Sequence, residues 1–300
     1  MSPNDITDAW IDEMYSALTN NIVKRYKLDK SDKRTCAITV WNIMNPNDRI
    51  EPVNTEALLD EMMEVLYSNF GDKLLFKGGY ILMKLIPENA RLSHDIDFSI
   101  NDEQLYNKVL NVLIEFAESL ISRGVAAKYT TTDTITPTSS GGIKIYDING
   151  SMLIGADVGL HDTSFGYCTR IILNNNITTF SYERMLSDKI TATLSRRRFR
   201  RTKDLYDIYI IMSKSDIDIN ILRDCLSKRD PEWNNLPFSD IVLREYKKAY
   251  NALQIVTHNN SKPVDIITFE EAFDLYNNLL QAILDNRYNK WLCKERKFIC

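Results

Sequence analysis

The amino-acid sequence predicts an α+β fold, in which an α+β region extends to about residue 180 and a helical region follows it. Short apolar runs bounded by turn residues, a pattern typical of strands, are found between residues 74 and 158. From Ser181 onward, apolar residues recur almost everywhere at helical spacing. We therefore expect two domains, residues 1–180 and residues 181–300.

The length and composition are those of a globular chain with a sizeable core. Its 300 residues are 44% hydrophobic and 26% charged, and no stretch approaches the roughly 18 apolar residues that a membrane helix needs. The polar start is unlike a secretory signal. Five cysteines without a CxxC pair, and only three histidines, argue against a disulfide framework, a zinc ribbon and a histidine-rich metal site. We expect a reduced, soluble, cytoplasmic protein with no membrane partner.

Charge is unevenly distributed along the chain. The 37 basic and 41 acidic side chains give a net charge of −4, which excludes a generic nucleic-acid coat protein. The basic strip RRRFRRTK, residues 196–203, nevertheless has only two uncharged residues. A dense strip of this kind can bind a polyanion locally even on a mildly acidic protein.

Helices are predicted at several places in the N-terminal region. Apolar spacing indicates one helix over the first 30 residues and another that is capped by Asn54 or Thr55. A long amphipathic helix is expected to begin after a cap at Asn101 and to end at Gly124.

Strands are predicted between these helices. A short apolar strand ends in Gly78-Gly79, where the next helix opens. The segment DIDFSI, residues 95–100, alternates polar and apolar residues, so its two aspartates share one face of a strand. Three more candidates follow, VAAKYTTT, GIKIYDI and SMLIGADV, and Asn149-Gly150 between the last two is a strong hairpin signal.

Four features with catalytic potential occur in one order along the chain. Two glycines at a strand-to-helix turn let a phosphate approach the backbone, whose free N–H groups and helix dipole favour anions. Two carboxylates on one strand face, Asp95 and Asp97, and a third on a later strand, Asp157, can together hold two divalent cations. Such cations orient a triphosphate, activate the attacking oxygen and stabilise the leaving pyrophosphate. A helix with Lys189, and then a helix that begins KDLYDIY, complete the order.

This order resembles the AbiEii/AbiGii toxin family of DNA-polymerase-β-type nucleotidyltransferases. The resemblance covers roughly residues 70–212 and depends on the segments FKGGYILMKLI, RLSHDIDFSI, GADV, SDKITATLSRRR and KDLYDIYII. It implies a nucleotidyltransferase core with a small mixed β-sheet flanked by helices, followed by a C-terminal helical bundle. It also implies a reaction, the metal-dependent transfer of a nucleoside monophosphate from an NTP with release of pyrophosphate.

The resemblance assigns roles to individual residues. Asp95 and Asp97 would hold Mg²⁺, two ions in all, and Asp157 would complete the site and help to deprotonate the acceptor hydroxyl. The residues implied in nucleotide binding are Gly78, Gly79, Arg91, Ser93 and Lys189, together with the acidic pair Asp204 and Asp207.

The chain departs from the family pattern at three positions. Tyr80 stands where a small hydroxyl residue commonly follows the glycines, and His94 where an acidic or hydroxyl residue is common. Lys203 replaces the usual arginine before Asp204. None of the three removes a metal ligand, but Tyr80 bears on the geometry of the phosphate loop.

Each of these residues also has an ordinary structural interpretation. Carboxylates on a strand can face water, a glycine pair can form a plain turn, and Lys189 can extend its ammonium from the core to solvent. Asp204 and Asp207 lie in the first turns of a helix, where the dipole favours acids in any protein. The order of all the features favours the catalytic interpretation, while the acidic pair stays open between the two.

By the same resemblance, we expect the toxin of a bacterial toxin–antitoxin or phage abortive-infection pair, with a separately encoded antitoxin as its partner. The acceptor is expected to be an RNA, with the 3′ end of tRNA as the leading candidate. The residues predicted to hold it are Arg196, Arg197, Arg198, Arg200 and Arg201. Two alternatives stay open: nucleotidylation of a protein or of a small molecule such as an antibiotic, and a non-catalytic protein that binds RNA or its antitoxin.

Overall fold

A computed structural model gives the architecture of the chain. The structure describes residues 7–26, 30, 33–45, 54–88, 90–147, 150–161, 164–194, 201–230, 240–251 and 267–300. Within these ranges the fold is of the mixed class that the sequence predicts, with a mixed sheet, helices packed on it and further helices after it. None of the helices in these ranges has the length and apolar character that a membrane span requires.

The first part of the chain contains the sheet. Its helices are α1 (Asp8–Ser16), α2 (Asn20–Tyr26), α3 (Lys33–Met44), α4 (Thr55–Phe70), α5 (Gly78–Leu85) and α6 (Glu103–Ser122). Its strands are β1 (Leu75–Lys77), β2 (Asp95–Ile100), β3 (Lys128–Thr132), β4 (Gly141–Tyr146), β5 (Met152–Leu160), β6 (Tyr167–Ile172) and β7 (Asn175–Phe180).

The second part of the chain is mostly helical. Its helices are α7 (Tyr182–Leu194), α8 (Thr202–Lys214), α9 (Ile219–Arg229), α10 (Asp240–Asn251) and α11 (Phe269–Leu284). Three short strands accompany them: β8 (Ile217–Asp218), β9 (Lys290–Leu292) and β10 (Lys297–Ile299).

The seven longer strands form one mixed sheet in the order β3-β4-β5-β2-β1-β7-β6. β2 is parallel to β5 and β1 is parallel to β7, whereas the other neighbouring pairs are antiparallel. One row of residues in register crosses the centre of the sheet: Lys77, Asp97, Asp157 and Gly142. Because residues paired across strands project from the same face, this row determines which side chains meet at the site.

The opposite face of the sheet is buried under helices. Ile143 and Ile145 of β4 are buried there with the apolar face of α6, and Phe76 and Phe98 pack with their ring centroids 5.5 Å apart. The same hydrophobic core continues into residues of α7, α8, α9 and α11. The helices after residue 181 therefore share a core with the sheet, and the division into domains at residues 180 and 181 stays a prediction.

Several local predictions hold. Asn54 caps α4 by accepting from the Ala57 N–H at 3.1 Å. β4 and β5 form the predicted antiparallel pair, although Asn149 of the predicted turn lies outside the described residues. The segment Asp216-Ile217-Asp218, which has the same spacing of aspartates as Asp95 and Asp97, is structural, since Asp218 caps α9 and Asp216 accepts from the Cys293 N–H.

Two predicted helix boundaries are wrong. The helix expected over the first 30 residues is interrupted, because α1 ends at Ser16 and Thr19 then accepts from the Ile22 N–H to start α2. The cap of α6 is Asp102, whose side chain accepts from the Gln104 N–H at 2.8 Å, and not Asn101. In the first case a capping side chain inside the predicted helix starts a new one, and in the second the cap lies one residue from the predicted position.

Two small β elements were missed. The β6–β7 hairpin turns at Leu173 and Asn174, which both have positive φ, and the sequence there lacks the glycine that usually signals such a turn. The expectation of an almost entirely helical region after Ser181 is incomplete, since β8, β9 and β10 form a sheet in the order β10-β9-β8. Strands of two or three residues are too short to show a period of two.

Candidate active site

Three carboxylates converge on one face of the mixed sheet. Asp95 and Asp97 extend from β2, and Asp157 extends from β5 directly opposite Asp97. One oxygen from each of the three lies within 4.8 Å of the others, and all three side chains are half-buried. The structure thus brings together the three aspartates that the sequence singled out.

The electrostatics of this triad favour a bound cation. Burial raises the pKa of Asp97 to about 7, the negative charges of Asp95 and Asp157 add to the effect, and Lys77 partly opposes it. Burial and Asp95 also raise the pKa of Asp157. Three carboxylates at this spacing repel one another, and a divalent cation between them would remove that repulsion.

The glycine pair at the start of α5 lies against the triad. Gly78 has φ +81°, and a Cβ at this position would lie 2.0 Å from Oδ2 of Asp97. Only glycine therefore allows the backbone to pass so close to the carboxylate. The start of α5 lies beside the triad, and no side chain caps it. Its first N–H groups and the positive end of its dipole therefore form a site that favours an anion.

Ser93 positions one of the triad carboxylates. Its buried hydroxyl donates to Oδ1 of Asp95 at 2.9 Å. The second glycine of the pair lies close by, because a Cβ on Gly79 would lie 3.0 Å from the Ser93 Oγ and 2.8 Å from Nη2 of Arg91. Ser93, Arg91 and the glycine pair are thus neighbours, as predicted for parts of one site.

Lys189, Asp204 and Asp207 form a buried ion cluster with Arg91. The Lys189 ammonium donates to Oδ2 of Asp207 at 2.6 Å and to Oδ1 of Asp204 at 3.3 Å. Burial favours neutral Asp207, but Arg91 and Lys189 outweigh it and hold the pKa of Asp207 below its ordinary value. In this structure the ammonium of Lys189 is neutralised by two carboxylates, and its predicted contact with nucleotide phosphates stays a prediction.

The three departures from the family pattern have different consequences. Tyr80 is directed into the core, where its hydroxyl donates to Oδ1 of Asp60 on α4 at 2.6 Å. The carbonyl oxygen of His94 accepts from the Gly155 N–H at 2.8 Å and joins β2 to β5. The charge of Lys203, half-buried on α8, lowers the pKa values of Asp97 and Asp157 against their overall rise. Because the Tyr80 hydroxyl is bound to Asp60, the phosphate loop lacks the hydroxyl that a small residue commonly supplies at this position. Lys203, in contrast, adds a cation near the triad.

Lys77 is a residue of the site to which the sequence analysis assigned no role. It is paired in register with Asp97 and lies on the triad face, with Nζ 3.5 Å from Nδ1 of His161 and 5.2 Å from the ring centre of Phe180. Burial lowers the pKa of Lys77, against the opposing charges of Asp188 and Asp97. The position of Lys77 directly before the glycine pair could have indicated a role at the site. Its contact with the triad, however, depends on the pairing of β1 with β2, which one sequence does not reveal.

His161 is held neutral beside this lysine. Burial and then the charge of Lys77 lower the pKa of the imidazole to about 4. Ser99 Oγ lies 3.1 Å from its Nδ1. The imidazole therefore adds no charge to the site at neutral pH.

Most of the basic strip, residues 196–200, lies outside the described residues. Within the described part, Arg201 pairs with Oδ2 of Asp204 at 3.3 Å, at the edge of the ion cluster. The assignment of the strip to acceptor binding therefore stays a prediction.

The mixed sheet with three converging carboxylates, beside a helix opened by glycines, is the arrangement that the sequence resemblance implies for a nucleotidyltransferase. Comparison with protein-family models agrees: the family described as "Nucleotidyl transferase AbiEii toxin, Type IV TA system" matches residues 62–273. The chain belongs to this family of toxin nucleotidyltransferases. No curated protein sequence matches the chain significantly.

Solved structures with a similar fold include two bacterial proteins. JHP933 from Helicobacter pylori is 13% identical with a TM-score of 0.47, and the match covers 78% of this chain and 93% of that one. MenT4, a nucleotidyltransferase toxin from Mycobacterium tuberculosis H37Rv, is 17% identical with a TM-score of 0.42, covering 76% of this chain and 82% of that one. At these values, neither likeness bears on the function of this chain.

Proposed function

We propose that this chain is a Mg²⁺-dependent toxin that transfers a nucleoside monophosphate from an NTP to an RNA, with the 3′ end of tRNA as the leading acceptor. The observation that carries the proposal is the triad, Asp95, Asp97 and Asp157, with oxygens within 4.8 Å of one another beside the start of α5. Membership of the AbiEii family supports the toxin activity.

The donor set fits Mg²⁺. Within the described ranges, the triad is the one group of three or more His, Cys, Asp or Glu side chains arranged to hold a metal, and all its ligand atoms are carboxylate oxygens. Hard divalent cations prefer such oxygens, whereas zinc and copper sites favour imidazole or thiolate. Three carboxylates can share two cations, as the sequence predicts.

When bound, the cations would neutralise phosphate charge and polarise the attacking and leaving oxygens. The residues of the chain supply the rest. Gly78 lets the backbone at the start of α5 approach the phosphates, where free N–H groups stabilise negative charge. Ser93 holds Asp95 in place through its 2.9 Å hydrogen bond. Asp157 lies at the far side of the triad from the glycines, where it can accept the proton of the acceptor hydroxyl.

The cellular part of the proposal follows from the family. A type IV toxin–antitoxin family implies an antitoxin partner. We place the transfer in the cytoplasm, where NTPs and tRNA are found, and infer growth inhibition that serves abortive phage infection. The antitoxin is taken to be encoded separately.

One labelling experiment tests the acceptor. Purified protein is incubated with Mg²⁺, total cellular RNA and each NTP labelled at the α-phosphate, and the RNA and protein fractions are then separated. We expect label on RNA with the wild-type chain and none with Asp95→Ala. Label on the protein fraction or on a small molecule would instead support the alternative acceptors, and no label with any NTP would contradict the enzymatic proposal.

A further inference from the structure

The triad face continues past Asp157 over a floor without side chains. Gly142 of β4 is in register with Asp157, and Gly155 of β5 is in register with Asp95. Gly142 has φ +141°, and a Cβ there would lie 1.9 Å from the carbonyl oxygen of Ala156. The backbone next to the triad, although buried, therefore has no side chain at these two positions, and at Gly142 there is no room for one.

Beyond this floor the same face of β3 and β4 is open. Lys144, two residues after Gly142, projects from the triad face, whereas its neighbours Ile143 and Ile145 are buried with α6 on the other face. The residues that line this surface, called here the β3–β4 platform, are Lys128, Thr130, Thr132, Lys144 and Tyr146. Its lysines and threonines are exposed, and Tyr146 is half-buried.

The platform is basic, hydroxyl-rich and aromatic. The Lys128 ammonium lies 5.8 Å from the ring centre of Tyr146, and the Thr130 hydroxyl lies 3.5 Å from the Tyr146 hydroxyl. The charge of Lys144 reaches the triad, since it lowers the pKa of Asp157 against the effect of burial. Neither β3 nor β4 contains an acidic residue. This composition is typical of surfaces that bind single-stranded nucleic acid, where lysines contact phosphates and an aromatic ring stacks on a base.

We propose that the β3–β4 platform binds the single-stranded 3′ end of the acceptor RNA. The inference rests on the proposed function. The start of α5 lies on the β1 side of the triad and suits the triphosphate, so the acceptor hydroxyl approaches from the β5 side, where Asp157 stands. A strand that extends from Asp157 on this side passes the side-chain-free positions Gly155 and Gly142 and then the platform.

Binding of a fluorescein-labelled single-stranded RNA with the sequence of a tRNA 3′ end tests the platform directly. The double variant Lys128→Gln/Lys144→Gln should bind this RNA about tenfold or more weakly, and its log–log salt slope should flatten by about 1.4. Tyr146→Leu, which removes the stacking ring, should weaken binding about fivefold to a hundredfold with an unchanged salt slope. The matched control is Lys247→Gln/Lys248→Gln, two exposed lysines on α10, which should bind RNA like the wild type apart from a small general charge effect.

A second set of measurements distinguishes failure of the platform proposal from failure of the proposed function. Calorimetric binding of Mg²⁺ and NTP, and thermal melts, should be the same in Lys128→Gln and in Tyr146→Leu as in the wild type, while label transfer to RNA falls. If the wild type labels RNA, and the platform variants bind and label RNA as well as the wild type does, the proposal that the platform binds RNA is wrong and the proposed function stands. If the wild type labels protein, a small molecule or nothing, both are overturned.

Discussion

Arg91 and Asp207 are joined by two hydrogen bonds although 116 residues separate them in the sequence. Nε donates to Oδ1 at 3.1 Å and Nη2 donates to Oδ2 at 3.2 Å, while Lys189 donates to the same carboxylate. Asp207 is fully buried. Because Arg91 precedes β2 by only four residues, this pair connects the strand that bears Asp95 and Asp97 to α8, and the later helices help to position the triad.

Removing the buried carboxylate should destabilise the protein strongly. Asp207→Ala leaves Arg91 without the carboxylate it is hydrogen-bonded to and Lys189 with Asp204 alone, and breaking a buried pair in this way costs about 3–5 kcal/mol. Denaturant titration measures the loss. Lys214→Gln is the control, because its ion pair with Glu88 is exposed and such pairs contribute at most about 1 kcal/mol. Equal losses in the two variants would mean that the buried cluster does not hold the fold together.

Gly78→Ala should abolish nucleotidyl transfer through displacement of Asp97. The new Cβ would collide with Oδ2 of Asp97, and the positive φ adds a strain of about 1–3 kcal/mol. Gly150→Ala is a matched control, since Gly150 has φ +78° but no atom within 4 Å of a Cβ. Both variants should lose stability in thermal melts, Gly78→Ala the more because of the collision, and only Gly78→Ala should lose activity. Activity retained in Gly78→Ala would show that the contact with Asp97 has no role in the reaction.

In the metal-free protein, the contribution of Asp97 to stability should fall as pH rises through the acid range. The pKa of Asp97 is raised from 3.8 to about 7 on folding, so between these values its folded-state carboxyl holds a proton that the unfolded chain has released. The contribution of Asp97 is therefore fully present below about pH 4 and is lost as pH approaches 7.

Asp97→Asn should remove this loss. Each pKa unit corresponds to about 1.4 kcal/mol, so with the pKa raised from 3.8 to about 7 the variant should gain roughly 3 kcal/mol over the wild type between pH 4 and 7 when no metal is present. Chemical denaturation in chelator at several pH values measures the difference. A constant difference across this range would rule out a raised pKa at Asp97.

Expression of the wild-type chain in a bacterium without the antitoxin should arrest growth, whereas Asp97→Ala should not. The expectation follows from membership of a toxin family and from the place of Asp97 in the triad. Growth curves after induction, with equal expression checked by immunoblot, measure it. Equal growth of both strains would remove the toxin assignment and leave the enzyme assignment in place.

The triad could be predicted from the sequence because its physical signals are local. Alternation in DIDFSI places Asp95 and Asp97 on one face, and the glycine pair marks a strand-to-helix turn. Asp157 was identified from the order of features that resembles a known family. Its spacing alone is also compatible with a position at a hairpin edge that faces water. The structure brings these residues together as expected.

The surroundings of the triad could not be predicted in the same way. The pairing of Lys77 with Asp97 depends on which strands become neighbours, and the order β5-β2-β1 does not follow the order of the chain. The burial of Lys189 depends on how α7 packs on α8, a tertiary property that helical spacing does not contain. Both residues therefore have partners that only the folded chain reveals.

Direct metal binding tests the central claim that the triad holds divalent cations. Mn²⁺, a paramagnetic substitute for Mg²⁺, is titrated into the wild type and Asp97→Asn at pH values between about 6 and 8, and free Mn²⁺ is followed by electron paramagnetic resonance. Because a proton on Asp97 competes with the metal and its pKa is about 7, we expect wild-type affinity to rise with pH and the variant to bind weakly at every pH. Equal Mn²⁺ affinity in the two proteins, independent of pH, would contradict the assignment of the triad as the metal site.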